Sequence, residues 1–247
     1  MKNYVKDKMI MITGGSSGFG LESARLILEM GGKVAITGRN EEKLNRAVNE
    51  LENSENLISI KADAGNSSDW KIALEKVMET FGRIDVLVLN HGGGVAIKST
   101  VEMTDDDIRK VLDTNLVSVI KGAREVIPYM KKKCKGHIIT VSSSCAHHSW
   151  AQWGTYTAAK AGLVGFTKCL HVEMSEWGGK ASSFTPGAAR TNFMNAADLD
   201  DSWQIELPDA ADFARTLVHC IDVPDNSFIE EVRIWGVAQV PGKVNPF

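Results

Sequence analysis

"ITGGSSGFGLESA", residues 12–24, joins a short apolar run to a stretch with helical periodicity, and Gly14, Gly18 and Gly20 space it as GxxxGxG. Glycine lets the chain turn tightly and lets backbone N–H groups approach a phosphate, while the helix that follows points its N-terminus at the anion. A strand-to-helix turn without a ligand also uses glycines. The loop gains weight from its setting, at the end of a first strand and the start of a first helix. It lacks the Gly-Lys-Ser/Thr of a P-loop, which argues against an ATPase or GTPase.

Outward from this loop, apolar β-branched runs recur at Met9–Thr13, Lys33–Gly38, Leu57–Ala62, Ile84–Asn90 and His137–Ser142. Such near-continuous apolarity marks strands covered on both faces. Weaker runs lie at Lys180–Thr185 and Glu230–Trp235, and the polarity of the first predicts a poorly packed edge. Helical periodicity fills residues 21–30, 41–53, 67–81 and 104–130, the last as one long helix. Asn66 or Ser67 suits the N-cap of the third, and Thr104, followed by acidic residues, that of the fourth. Strands alternating with helices imply parallel strands joined by right-handed crossovers. The expectation is an α/β, doubly wound Rossmann fold: a single domain over 1–247 with a mostly parallel seven-stranded sheet, holding both cofactor site and catalytic residues.

Composition excludes several function classes. The 247 residues are 43% hydrophobic and 24% charged, with net charge −3. That gives no electrostatic case for nucleic acid or an anionic membrane. The one basic cluster, Lys131–Lys133 with Lys135, reads as a solvated helix end. The start "MKNYVKDKMI" lacks the apolar stretch of a secretory signal, and no apolar run approaches a membrane span. Cys134, Cys145, Cys169 and Cys220 lack metal-ligand spacing, so reduced, mostly buried thiols in a cytoplasmic protein are expected. His147 and His148 have no cluster around them, and no metal site is expected.

Two further stretches carry chemistry. In "ITGRNEEKL", residues 36–44, Gly38 stands where a carboxylate would bind the ribose 2′-hydroxyl of NAD, and Arg39 follows. Glycine leaves room for a 2′-phosphate and a guanidinium pairs with it, so NADP(H) is favoured over NAD(H); the bland reading is a surface arginine. In "YTAAK", Tyr156 and Lys160 fall four residues apart on one helix face. A tyrosine with a pKa of about 10 exchanges its proton poorly at neutral pH. A neighbouring ammonium would lower that value.

Together these stretches make the chain resemble a short-chain dehydrogenase/reductase along nearly its whole length. "TGGSSGFG" resembles that family's TGxxxGxG loop, "YTAAK" its YxxxK, "PGAART" its PG segment, and "VSSSCA" its serine at the end of the fifth strand. "DTNLVS" supplies the fourth position. The resemblance implies Asn115, Ser143, Tyr156 and Lys160 as the catalytic set. Ser143 is selected over Ser142 and Ser144 by its spacing from Tyr156; it would stabilise charge on the substrate oxygen. Lys160 would also hold the nicotinamide ribose, and Asn115 a water in a proton relay.

For the dinucleotide the resemblance implies Gly14, Ser16, Ser17, Gly18, Phe19 and Gly20 at the loop, Arg39 beyond β-strand two, and Asp63 and Ala64 at the adenine. Asn90 and Gly92 follow the fourth strand. Pro186, Gly187, Ala189 and Thr191 face the nicotinamide half, Thr191 being a candidate for its carboxamide. Each of these features alone has a structural explanation, a helix face, a strand end or a turn. Their order, at the correct end of the sheet, is what points to chemistry.

Departures from the family pattern matter as well. Its NNAG appears as "NHGGG", with His91 and Gly92 replacing the usual pair; His91 reads as a packing or backbone-bonding residue. The common glycine-rich ending is missing, and the C-terminal stretch loosely resembles the branch acting on small hydroxy acids, serine and short aldehydes. A substrate loop is expected over 192–208. Trp150, Trp153, Phe193, Met194 and Trp203 suggest apolar pocket walls, whereas Asp198, Asp200 and Asp201 make the loop acidic.

The expected activity is hydride transfer between NADP(H) and a small-molecule carbonyl or alcohol, in a homotetramer built through the helices bearing Asn115 and Tyr156. Three alternatives stand beside it: an NAD(H)-preferring dehydrogenase of the same type, a non-catalytic cofactor-sensing protein, and a sugar-nucleotide epimerase. The loop spacing and chain length argue against the epimerase.

Overall fold

Residues 2–191, 193, 207–237 and 239 are described by a computed structural model. β1 (Met9–Thr13) is buried along its whole length because both of its faces are covered. Its side chains alternate: Ile10 and Ile12 join one apolar cluster, Met9 and Met11 the other. That period of two is the pleat of a central strand. The first cluster lies under α1 (Gly18–Glu29), α2 (Glu41–Glu50) and α7 (Ala210–Ile221). The second lies under α3 (Ser67–Phe81), α5 (Ser118–Lys131) and α6 (Gly154–Ser175).

The other strands are β2 (Lys33–Gly38), β3 (Leu57–Lys61), β4 (Val86–Leu89), β5 (Gly136–Val141), β6 (Gly179–Pro186) and β7 (Glu231–Ile234). They form one sheet in the order β3-β2-β1-β4-β5-β6-β7, and every pairing is parallel. From β1 the chain builds outward to β3, then returns to β4 on β1's other side and builds toward β7. The crevice where direction reverses lies at the C-terminal ends of β1 and β4, the place at which open α/β sheets bind ligands.

Helix starts follow local chemistry. Asn66, not Ser67, caps α3, its side chain accepting from the Ser68 N–H, and α3 ends at Gly82 with φ 68°. Thr104 and Asp107 form a reciprocal capping box at α4 (Asp105–Leu112).

Three expectations need correcting. The helix over 104–130 runs through without a gap but not as one regular α-helix: a π-turn, Asp113–Val117, lies between α4 and α5, and the Ser118 N–H reaches the Asp113 carbonyl five residues back. Asn115 is the cause, because its side chain bonds the Val111 carbonyl at 2.9 Å and holds the turn open. The sixth strand is no loose edge. β6 lies between β5 and β7 and is almost wholly buried. Its polar side chains are matched: Ser182 with His137 at 2.8 Å, and Thr185, which donates to Glu231 at 3.1 Å. Polarity in a strand signals poor packing only when partners are lacking. Finally, the thiols divide evenly, Cys145 and Cys220 buried, Cys134 and Cys169 exposed; the exposed pair sit on turns and outward helix faces that the spacing of cysteines does not reveal.

Candidate active site

The glycine loop sits at the crevice. Gly14 and Gly18 have φ of 65° and 55°, values an L side chain rarely adopts. Gly20 does not line the cleft. It is buried beneath the loop, where a β-carbon would lie 2.6 Å from both Asn90 Nδ2 and the Gly14 carbonyl. Asn90 staples the loop to β4, donating to the Thr13 and Gly14 carbonyls at 3.0 and 3.1 Å. Ser17, at the N-cap of α1, spends no side-chain bond on the helix, and it lines the cleft together with Gly18 and Phe19 of the first turn.

A cleft of about 560 Å³ runs from this loop to Tyr156, a size that suits an extended organic ligand. Ser16, Ser17, Gly18, Phe19, Arg39, Asp63, Ala64, Asn90, Gly92, Pro186, Gly187, Ala189 and Thr191 all line it. Asp63 is fixed at the mouth, its Oδ1 accepting from the Gly65 N–H at 2.8 Å. Lys43 joins Arg39 on the wall. The sequence hides Lys43 in an ordinary run of charged helix residues, and only the Asn40 cap, accepting from the Lys43 N–H at 2.9 Å, fixes where that first turn begins. Two cations and a helix N-terminus at one end, and glycines pressed against the middle, fit an anionic dinucleotide.

Tyr156, Lys160 and Ser143 converge at the other end of the cleft. The Lys160 ammonium is buried, donates to the Val141 carbonyl at 2.9 Å and lies 5.7 Å from the Tyr156 ring centre. Of the three serines, Ser142 is buried and donates to the Lys160 carbonyl at 2.9 Å. Ser143 is partly exposed and takes the Cys145 N–H at 3.2 Å. Asn115 stands apart. It lies beneath the cleft, giving both amide hydrogens away, to Gly93 at 2.7 Å and Val111 at 2.9 Å, and accepting from the Gly93 N–H at 3.1 Å. A β-carbon on Gly92 would sit 3.2 Å from Asn115 Oδ1 and 3.5 Å from Lys160 Nζ, so the two groups flank that glycine.

The electrostatics differ from the expectation. Burial pushes the Tyr156 phenol well above its ordinary value, with Ser143 pulling the other way, and Lys160 does not bring it down. The ammonium points at a backbone carbonyl rather than at the phenol oxygen. Burial in turn lowers Lys160 to about 8 and raises the Cys145 thiol to about 11.

Aromatic walls flank the phenol. Trp153 meets the Tyr156 ring edge-on at 5.5 Å, and Phe193 lies 5.9 Å away. Trp150 packs against the same apolar cluster. Met194, Trp203 and the acidic trio Asp198, Asp200 and Asp201 lie outside the described residues, as does most of the 192–208 loop. His91 lies on the cleft floor, bonded to side chains rather than to backbone: Nδ1 to Thr13 Oγ1 at 2.7 Å, Nε2 to Ser118 Oγ at 2.8 Å. Burial foremost, then the Lys160 charge, lowers it to about 3. Among the described residues, no group of acidic, histidine or cysteine side chains could hold a metal, and no helix is long and apolar enough to cross a membrane.

Similar proteins agree with this layout. The family profile described as short chain dehydrogenase matches residues 8–202. An uncharacterized oxidoreductase of Staphylococcus epidermidis is 29% identical over 233 residues, 93% of this chain and 97% of that one. A serine dehydrogenase solved in closed form with NADP+ superposes with TM-score 0.88 at 25% identity, covering 96% of this chain and 98% of its own. A 3-ketoacyl-(acyl-carrier-protein) reductase from Brucella melitensis, solved with NADH, has TM-score 0.86 at 24% identity and covers 96% and 100%. The latter likeness speaks to fold alone.

Proposed function

This chain belongs to the short chain dehydrogenase family, and we propose that it is an NADP(H)-dependent carbonyl reductase or alcohol dehydrogenase acting on a small molecule. The reading rests most on one observation: a phenol, a hydroxyl and an ammonium gathered at one end of a cleft whose other end carries the glycine loop.

A nicotinamide dinucleotide bound there would supply or take up the hydride. The loop residues Gly14 and Ser16–Phe19 would hold its phosphates, and Arg39 with Lys43 would receive a 2′-phosphate. Asp63 and Ala64 would serve the adenine, Asn90 and Gly92 the adenosine ribose, and Pro186, Gly187, Ala189 and Thr191 the nicotinamide half. The substrate carbonyl lies between Trp153 and Phe193, with its oxygen accepting from Ser143 and Tyr156.

Burial keeps the Tyr156 phenol protonated at neutral pH, the form that gives a proton to the substrate oxygen. Lys160, at about 8 still mostly cationic at pH 7, stabilises the phenolate left behind by turning from the Val141 carbonyl toward the phenol oxygen. Asn115 acts from below, fixing the Gly92–Gly93 backbone. Residues 192–208 are assigned as the substrate-binding loop, and the protein works in the cytoplasm as a homotetramer joined through α5 and α6. Light scattering giving the mass of one chain would remove that last element.

The decisive experiment follows NADPH oxidation, with NADH in parallel, against short aldehydes, keto acids, sugars and cyclic ketones. Wild-type turnover with a preference for NADPH is expected, and Tyr156→Phe should lower kcat by roughly a thousandfold. Undiminished turnover in that variant would reject the assigned acid.

A further inference from the structure

His91 is a part-buried titratable group that the chemistry above does not use. It stands between Asn90, which staples the glycine loop, and the three glycines of "NHGGG". Gly93 and Gly94 have φ of 134° and 61°, so this stretch has little intrinsic stiffness. Asn115 fastens one point of it, at Gly93. His91 fastens another.

The proton directions follow from the partners. Ser118 donates its hydroxyl to the Thr114 carbonyl at 2.8 Å, so its oxygen accepts from His91 Nε2–H at 2.8 Å. Nδ1 is then the acceptor: Thr13 Oγ1 takes the Asn90 and His91 N–H groups at 3.1 and 3.3 Å, and its one hydrogen goes to Nδ1 at 2.7 Å in preference to the Val88 carbonyl at 3.3 Å. Every group is satisfied by a neutral ring in one tautomer. A second ring proton would face Thr13 and force its hydroxyl away, while Lys160 and Arg39 act against a positive charge there and Asp63 favours it. Such a ring is unsuited to moving protons. It is well suited to holding three segments together.

We infer that His91 is a positioning residue, a neutral imidazole that ties the end of β1 to the π-turn and so holds the Gly92–Gly93 backbone against Asn115 and Lys160. Its kinetic consequence rests on the reductase reading; its structural consequence does not. The two fastenings lie on either side of Gly92, at His91 to Ser118 and at Gly93 to Asn115, and both end on the same turn of helix. Losing one lets the glycine stretch pivot about the other.

The test uses the full chain in three variants. His91→Phe keeps the ring and removes both bonds, His91→Gln can return the donor to Ser118, and Ser118→Ala removes the acceptor. Amide hydrogen exchange, without added cofactor, is read on peptides covering 91–94 and 113–118. His91→Phe should speed exchange there by about tenfold or more, with the β5–β6 peptides unchanged. Glutamine should recover most of the protection, and the Phe/Ala double variant should be no worse than Phe alone.

In turnover assays, kcat should fall roughly 10–100-fold in His91→Phe with substrate KM within about threefold. Glutamine should again restore most of it. Exchange within twofold of wild type in His91→Phe overturns the inference, as does a glutamine variant no better than phenylalanine in both readouts. Should His91→Phe fail to fold, Ser118→Ala carries the test by the same exchange pattern, and unchanged exchange there overturns it. A wild-type protein that reduces none of the carbonyls defeats the functional reading, while the exchange result still decides the role of His91.

Discussion

Around β1 the buried side chains are hydrocarbon, with Met9, Ile10, Met11 and Ile12 shared between the two faces, whereas around β6 many are hydroxyls and an imidazole joined in pairs. The first region is shaped by what its loop leaves out, a β-carbon at Gly20. The second is shaped by what each polar group must find. His137 meets Ser182 at 2.8 Å, Thr140 meets Thr167 at 2.7 Å, and Ser142 reaches the Lys160 carbonyl at 2.9 Å. Hydrocarbon packing has no direction, so it fixes volume. Hydrogen bonds are directional, so the polar region fixes angles, and it is the region that carries Ser143, Tyr156 and Lys160.

If that contrast is right, steric insertion in the first region should hurt most. Gly20→Val places a branched side chain against the Gly14 carbonyl and the Asn90 amide, and should cost about 3 kcal/mol or more of stability in urea unfolding. A loss below about 0.5 kcal/mol would mean that the loop shifts freely.

Lys160 gives the next largest effect, with the opposite sign. Burial moves its pKa from 10.5 to about 8. The unfolded chain therefore binds more protons between those values, and stability rises with pH across that window. Lys160→Met removes the buried cation. At pH 7 the variant should be more stable by roughly 2–3 kcal/mol, with the gap closing between pH 8 and 10.5, while turnover collapses. Thermal melts at pH 7 and 10 read this; equal gaps at both would overturn it.

Smaller effects sharpen the polar side. Ser182→Ala leaves the buried His137 ring nitrogen without its partner and should cost about 2 kcal/mol. Replacing Thr140 and Thr167 together by valine removes both ends of one bond, and should cost within about 0.5 kcal/mol of nothing, less than Thr140→Val alone. Additive losses in that pair would erase the distinction between the two regions.

Much of this was legible in the residues. The apolar runs located every strand to within about two residues, since a strand covered on both faces has no choice but continuous apolarity. Gly14, Gly18, Arg39, Ser143, Tyr156 and Lys160 all fell on the cleft because each sits at a strand end or in the first two turns of a helix, where sequence position and space coincide. Other features depend on partners distant in sequence. Asn115 in the π-turn also bonds Gly93, 22 residues back, and β6 is well packed because Ser182 is met by His137, 45 residues away. The protonation of Tyr156 likewise follows from burial, which the YxxxK spacing cannot convey. His91 offered one readable signal, a polar residue among glycines at a strand end, without a hint of Thr13 or Ser118.

The π-turn has one more consequence, for insertions and deletions. An α-helix advances about 100° per residue, and the extra residue within Asp113–Val117 sets the angular phase of everything after it. The stripe of Val119, Ala123, Val126 and Met130 faces the core only in that phase. Deleting a single residue from the turn, harmless to helix propensity, would swing the stripe sideways and bring Ile120, Arg124, Ile127 and Lys131 round in its place. The segment is thus intolerant of length change even where it accepts changes of residue type.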